Sequence, residues 1–131
     1  MIVVDEDRFV AAVRARAAAE PDKVYSPPMV MHIDDEGNED EVEGTCVYVE
    51  RDKDDALVGS CLIGCALIDA GVHPEALDVG EYGITAMVKE SMLSLPKDVA
   101  RWADVVQAKQ DTGLPWGRAV EVADTKVGLS K

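Results

Sequence analysis

Three cysteines and a histidine are the residues of this chain best suited to metal chemistry. Cys61 and Cys65 stand four positions apart, so a helix would present both on one face. Cys46 and His73 are the candidate partners for a zinc site, because thiolates and imidazoles are ligands that zinc prefers. These four residues define one hypothesis, a metal- or small-ligand-binding domain that could also be enzymatic.

The surroundings of the two helix cysteines favour a structural role instead. The window from Ser60 to Gly71 is the most apolar of the chain, and Asp69 is its only charged residue. Structural zinc sites usually take their ligands from turns, whereas cysteine inside an apolar helix behaves as a small hydrophobic residue. We therefore expect core cysteines, and neither a bound metal nor a cofactor.

Motifs of known enzyme classes are incomplete in this sequence. The H-x-E that begins at His73 belongs to zinc deaminases, but the downstream P-C-x-x-C pair is missing. Residues 59–66 carry two glycines at phosphate-loop spacing, but Cys65 and Ala66 replace the lysine and the hydroxyl residue of that motif. No catalytic residue is predicted, and a non-enzymatic role is favoured. The second glycine of this segment, Gly64, would let a neighbouring element approach the helix closely.

A dense acidic tract is the second feature that could carry function. The chain has 26 acidic and 13 basic residues, a formal net charge of −13, and residues 34–55 hold eleven of the acids against two bases. The acidity is therefore local. Within residues 34–43 there are seven acids and no base: Asp34, Asp35, Glu36, Glu39, Asp40, Glu41 and Glu43.

Three interpretations of this acidic tract are open. The simplest is a solvated loop that only adds solubility. Clustered carboxylates could also dock on a basic protein surface, because negative charge raises the rate of association with a positive partner. Mimicry of nucleic-acid phosphates is the third and would need the acids on rigid elements. If docking is right, the seven acids bind the partner, and Trp116 would join them as an anchor if it were exposed.

Charge and hydropathy argue against other classes of ligand. A negative surface repels phosphate and no basic cluster is visible in the sequence, so nucleic acid is not an expected partner. No apolar stretch approaches the length that spans a bilayer, and the amino terminus lacks the pattern of a secretory signal. An odd number of cysteines agrees with a reducing compartment. A cytoplasmic protein without a membrane partner is expected.

The elements that position these residues predict a mainly helical α+β fold, with about five helices around a buried central helix, in one domain of residues 1–131. Apolar residues at helical spacing indicate a first helix from Asp5 to about Ala19. Met29–Ile33 and Thr45–Glu50 then have the composition of two strands. We expect these strands to form one antiparallel hairpin, with residues 34–43 as its loop.

The remaining elements follow from caps and helix breakers. Ser60 is the expected N-cap of the buried central helix, and Gly71 is the glycine that ends it. Trp102 and Trp116 most simply belong to the core of the last helix pair. Further predicted features are a helical turn at Pro74, a short helix over 84–92, longer helices from Pro96 and Pro115, and a frayed tail over 128–131.

Three stretches carry a resemblance to other proteins: Cys46–Val49, Ser60–Gly64 and Ala108–Val120. Over about residues 24–122 the chain resembles a group of small proteins from actinobacterial phages and prophages. The resemblance implies an intracellular, phage-encoded accessory protein and no particular activity. By analogy, it implies a host or phage protein as the partner. Cys65 stands where the similar proteins often have histidine, which weakens any metal site carried over from them.

Taken together, these features predict a non-enzymatic protein that binds a host or phage protein, with an acidic hairpin as its docking element. The metal- or ligand-binding domain around Cys46, Cys61, Cys65 and His73 is the alternative. A homodimer built through the helical C-terminus is a third hypothesis.

Overall fold

The fold is described from a computed structural model of the protein, which covers residues 2–25, 29–33, 35–43, 48–78 and 83–129. Within these ranges the chain forms five α-helices and three pairs of short strands, so the predicted mainly helical α+β class is confirmed. The helices are α1 (Glu6–Ala19), α2 (Leu62–Asp69), α3 (Ile84–Lys89), α4 (Lys97–Asp111) and α5 (Trp116–Lys126), with a 3-10 helix at Pro74–Leu77. The strands are β1 (Ile2–Val3), β2 (Met29–Ile33), β3 (Glu39–Glu43), β4 (Val49–Arg51), β5 (Leu57–Gly59) and β6 (Leu93–Ser94).

The strands pair differently from the prediction. β2 is antiparallel to β3, with Met29 opposite Glu43 and Ile33 opposite Glu39. β4 is antiparallel to β5, and β1 lies parallel to β6. The predicted hairpin between Met29–Ile33 and Thr45–Glu50 is therefore wrong, and the second half of the acidic tract is a strand rather than a loop. Residues 45–47 of the predicted strand lie outside the described residues.

The chain reverses inside the acidic tract because of a glycine. Gly37 has a φ of +82°, a left-handed conformation that glycine adopts without the steric cost of a side chain. This residue lies between Ile33 and Glu39, which are register partners. The acids could not lie in a core, but a two-stranded ribbon pairs through its backbone and needs no buried face.

Helix α1 confirms the first predicted helix. One carboxylate oxygen of Asp5 accepts hydrogen bonds from the amides of Asp7 and Arg8, at 3.0 and 3.1 Å, and so caps the helix. The helix buries a face at helical spacing, made of Phe9, Val10, Val13 and Ala17. This face packs mainly on α2.

Helix α2 is the buried centre of the fold, with Leu62 through Leu67 all buried. Its N-cap is Cys61 and not Ser60, since the Cys61 Sγ accepts from the Gly64 amide at 3.3 Å. Ser60 directly follows β5, and its hydroxyl donates to Glu50 at 3.2 Å. The predicted end of the helix is confirmed, because Gly71 has a φ of +101°.

The glycine inside α2 has the role that the sequence suggested. A Cβ atom built on Gly64 would lie 2.7 Å from the carbonyl carbon of Tyr48 and 2.9 Å from its Cα. Helix α2 therefore runs directly against the backbone of Tyr48, which is itself 1% exposed. Only a residue without a side chain allows this approach.

Side chains of α4 cap two other helices. The Gln110 Oε1 accepts from the Leu62 amide at the start of α2, at 3.0 Å. The carboxylate of Asp104 accepts from the amides of Ile84 and Thr85 at the start of α3, at 2.7 and 3.0 Å. These contacts satisfy first-turn amides that have no partner within their own helices.

Helix α5 receives its cap from the loop that follows α1. The amide of Trp116 donates to the Lys23 carbonyl at 2.8 Å, and that of Gly117 donates to the Pro21 carbonyl at 3.0 Å. The helix then packs on α4 and α1 through its apolar face. The helices predicted from Pro96 and Pro115 are confirmed, with each proline at the N-cap position.

Candidate functional site

The predicted acidic site lies on the β2–β3 hairpin. Asp35 and Glu36 are exposed in the reversal between the strands, and Glu39 is exposed at the start of β3. Asp34 falls outside the described residues. Strand β3 brings four of the predicted acidic residues into one short element: Glu39, Asp40, Glu41 and Glu43.

The register of the hairpin sets apolar residues opposite acidic ones. Met29 is the partner of Glu43, Met31 of Glu41, and Ile33 of Glu39. The Ile33 side chain is 61% exposed, which makes it one of the large apolar residues that the fold leaves in solvent. The hairpin therefore presents an aliphatic side chain, Ile33, next to its carboxylates, and its composition is not that of a wholly polar loop.

The hairpin takes little part in the packing of the helices. Among the described residues, the extensive contacts of β2 and β3 are with each other, whereas the helices pack on one another. Asp35 and Glu39 form no ion pair with any described residue. Their charge is consequently available to an outside group.

Trp116 does not belong to this site. It was predicted as a partner-binding residue if exposed, but the structure places it in the core with 1% exposure, and Trp102 is fully buried. As the first residue of α5, it lies under the loop that caps the helix, and the Lys23 ammonium is 4.6 Å from the centre of its ring. The prediction of Trp116 as a surface anchor is corrected, while both tryptophans as core residues are confirmed.

The helix cysteines lie in the core, as expected from their apolar window. Cys61 is fully buried and its sulfur caps α2, while Cys65 is 9% exposed. Burial raises the pKa of the Cys65 thiol, although Arg16 and Lys23 act in the opposite direction. A buried thiol that stays protonated is a poor nucleophile and a poor metal ligand.

The remaining members of the predicted metal group are not assembled around these cysteines. His73 is exposed, and its Nδ1 accepts from the Glu75 amide at 3.2 Å, which caps the 3-10 helix. Cys46 lies outside the described residues. In the ranges that the structure describes, no group of three or more histidine, cysteine, aspartate or glutamate residues is placed to hold a metal ion.

His73 instead lines a cleft between the β4–β5 hairpin and the 3-10 helix. The cleft has a volume of about 370 Å³ and is lined by Arg51, Asp55, Ala56, Leu57, His73, Pro74 and Glu75. The Arg51 guanidinium donates to the Asp55 carbonyl at 2.8 Å. That internal hydrogen bond holds the turn of the β4–β5 hairpin.

A second cavity was not foreseen from the sequence. It is a groove of about 350 Å³ between α3 and α4, lined by Thr85, Val88, Lys89, Lys97, Ala100 and Arg101. Each helix contributes residues at positions i, i+3 and i+4, the spacing of one helix face. The spacing is visible in the sequence, but which two faces meet is a property of the tertiary fold.

Two aspartates outside these cavities have lowered pKa values because each forms an ion pair between helices. The Arg14 guanidinium contacts Asp124 through two hydrogen bonds of 2.9 Å, and the Trp102 indole donates to the same carboxylate at 2.9 Å. Arg16 contacts Asp69 at 2.7 and 2.8 Å. Hydrogen bonds from the arginines lower the pKa of both carboxyls below the ordinary value of 3.8.

These ion pairs predict an acid-sensitive stability. A carboxyl with a lowered pKa in the folded protein gives stability that is full above the ordinary pKa and is lost as the pH falls through the folded value. Because both aspartates are more than a third exposed, the loss attributable to them should be only about 1 kcal/mol. Urea denaturation followed by tryptophan fluorescence at about pH 7 and about pH 3 measures it.

The matched control for this prediction is the double substitution Asp69→Asn and Asp124→Asn. Asparagine keeps an acceptor for the Trp102 indole but cannot titrate. The variant should be less stable than the parent at neutral pH and should lose less stability on acidification. An equal loss in both proteins would show that other carboxylates determine the acid sensitivity.

None of the helices in the described part of the chain is both long enough and apolar enough to cross a membrane.

Comparisons with known proteins identify no relative of this chain. A scan against protein-family models, a search of curated proteins and a search of solved structures each find no match for this chain.

Proposed function

We propose that the protein is a non-enzymatic interaction protein whose β2–β3 hairpin docks on a basic surface of a partner protein. The observation that carries this proposal is a two-stranded hairpin whose extensive contacts are between its own strands, β2 and β3. Its reversal and its second strand carry the exposed carboxylates of Asp35, Glu36 and Glu39. The resemblance to small actinobacterial phage proteins adds the class of partner, a host or phage protein. An accessory protein of this kind acts by binding alone.

The charge distribution supports docking rather than solvation alone. Residues 34–43, which include β3 and the reversal before it, hold seven acids and no base, more than half of the net charge of −13. Charge concentrated on one element steers association with a positive surface, whereas evenly spread charge does not. Ile33 adds exposed aliphatic area beside these carboxylates, and desolvated apolar contacts supply affinity once the charges have aligned the two proteins. A loop that only improved solubility would need no such residue.

Removing the hairpin charge while keeping its backbone tests this proposal. We expect the triple variant Asp35→Asn, Glu36→Gln and Glu39→Gln to fold normally and to lose the partners that the parent protein captures from a host lysate. With a captured partner, the association rate constant should fall on the order of tenfold at low salt. Stopped-flow or surface-based kinetics at several salt concentrations measure the rate.

A variant with the same change of net charge elsewhere is the control. Asp22→Asn, Asp78→Asn and Glu90→Gln remove three charges from exposed positions on other parts of the chain. This control should keep the partners and the steep salt dependence. The proposal fails if the hairpin variant captures the same partners as the parent, or if both variants lose them equally.

A further inference from the structure

We propose that the α3–α4 groove is a second docking site, which binds an acidic amphipathic segment of a partner protein. An aliphatic side chain of that segment would enter the groove between Val88 and Ala100. Its carboxylates would pair with Lys89, Lys97 and Arg101. This inference goes beyond the acidic hairpin, because it concerns a surface of opposite charge on other elements.

The floor of the groove is suited to an aliphatic side chain. Ala100 is 2% exposed and belongs to the hydrophobic core, and the half-buried Val88 packs against that core. Thr85, Lys89 and Lys97 also line the groove, and the aliphatic stem of a lysine commonly covers apolar surface. A volume of about 350 Å³ is at the lower end for ligand sites, so the groove has room for one or two side chains.

The charge of the groove is unusual for this protein. Three of its six lining residues are basic and none is acidic, although acidic residues outnumber basic ones two to one in the chain. All three cations are exposed, and none of them forms an ion pair within the described residues. The nearby carboxylate of Asp104 is occupied in capping α3. The cations are therefore free to meet an outside anion.

The position of Lys97 also points to an anionic partner. Lys97 is the first residue of α4, and a cation in the first turn is unfavourable to the helix dipole. Asp98 supplies one acid in the same turn and accepts from the Val99 amide at 2.9 Å, but Lys97 itself has no ion-pair partner among the described residues. A bound carboxylate would offset the unfavourable charge.

The layout of the cations favours a protein segment over other anions. Lys89 lies on α3, whereas Lys97 and Arg101 lie on α4, so positive charge borders the groove on both sides. A fatty acid carries a single carboxylate, whereas three cations line the groove and can pair with several carboxylates. Single-stranded nucleic acid is usually bound by aromatic side chains on which bases stack, and the groove lining contains none. Duplex nucleic acid is disfavoured by the net charge of −13 on the chain. Carboxylates on both sides of an aliphatic row match it best.

A synthetic peptide tests this site directly. The probe is a fluorescein-labelled, helix-forming peptide with a row of leucines flanked by glutamates, titrated with the full-length protein and followed by fluorescence anisotropy. We expect saturable binding that weakens with salt. The double variant Lys97→Glu and Arg101→Glu should bind about tenfold more weakly. Lys97→Glu places an acid in the first turn of α4, and Arg101 is exposed without an ion pair among the described residues. An unchanged far-UV circular dichroism spectrum of the double variant shows that the weakening is not a loss of the fold.

Three controls define the result. Lys53→Glu with Lys126→Glu makes the same change of net charge outside the groove and should leave the affinity within about twofold of the parent value. A peptide with serine in place of each leucine should bind at least about tenfold more weakly, because the aliphatic anchor is lost. The hairpin variant Asp35→Asn, Glu36→Gln and Glu39→Gln should bind the leucine peptide as the parent does. This last result separates failure of the groove from failure of the hairpin.

Several outcomes would overturn the proposal. These are no saturable binding of the leucine peptide, equal binding by the groove variant, and equal binding of the serine peptide. Displacement of the peptide by decanoate at similar concentrations would assign the groove to fatty acids instead. Self-association of the parent protein in sedimentation, lost in the groove variant, would assign it to a second copy of the chain.

Discussion

Replacing Gly64 by alanine is expected to destabilise the protein by about 3 kcal/mol or more. The new methyl group would meet the backbone of Tyr48 at distances that real Cβ atoms do not show. Backbone atoms cannot rotate away as a flexible side chain can. Helix α2 or the segment at Tyr48 would have to shift, and the Tyr48 carbonyl also accepts a hydrogen bond from the Ser60 amide at 2.9 Å. Chemical denaturation gives the change in the free energy of unfolding.

The sign of this effect is what makes the prediction sharp. Inside a helix, alanine is favoured over glycine by about 1 kcal/mol, so helix propensity alone predicts a more stable protein. Gly128→Ala is the control, because a Cβ at that position has no neighbour within 4 Å. A Gly64→Ala protein at least as stable as the parent would contradict the close contact of α2 with Tyr48.

The second large effect is expected at Gln110, the buried polar residue of α4. Gln110 and Leu62 are both fully buried, and the Gln110 side chain is an acceptor for the Leu62 amide. Gln110→Leu fills a similar volume but leaves this amide without a partner in a site that water does not reach. We expect a loss of about 2 to 3 kcal/mol in the free energy of unfolding.

A second substitution separates the hydrogen bond from packing. Gln110→Glu keeps an oxygen acceptor at the start of α2, but it adds a buried charge when ionised. Its deficit relative to the parent at the same pH should shrink under acidic conditions, because the neutral carboxyl both accepts and donates. The Leu variant should show no such recovery. A Leu variant as stable as the parent would contradict the capping role of Gln110.

Local signals in the sequence were enough for the helices. Asp5 is a capping residue directly before an amphipathic run, and Pro96 and Pro115 stand where helices begin. Such signals act within a few residues of the element that they define. Ser60 and Cys61 both carry an acceptor atom, but the Ser60 hydroxyl donates to Glu50, so the N-cap of α2 lies one position later than local signals indicate.

The pairing of the strands and the α3–α4 groove could not be predicted from local signals in this way. The residues of β3 are mostly acidic, and such residues are rare in strands, so composition favoured a loop. The reversal at Gly37 shows that the turn, and not the composition, decides the pairing. The groove depends on which faces of α3 and α4 meet, and contacts between elements are absent from a local pattern. The acidic tract itself was recognised because charge is counted without knowledge of structure.

The caps that helices α2, α3 and α5 receive from distant segments have a consequence for how the protein unfolds. When α4 detaches, α2 and α3 lose the Gln110 and Asp104 side chains that terminate them, and when the loop at Pro21 opens, α5 loses its own. Helices α2 and α3 are thus coupled to α4, and α5 is coupled to the loop after α1, so unfolding should be cooperative across the helical body. Hydrogen exchange at the amides of Leu62 and Ile84, which both depend on α4, should accordingly report one common opening energy.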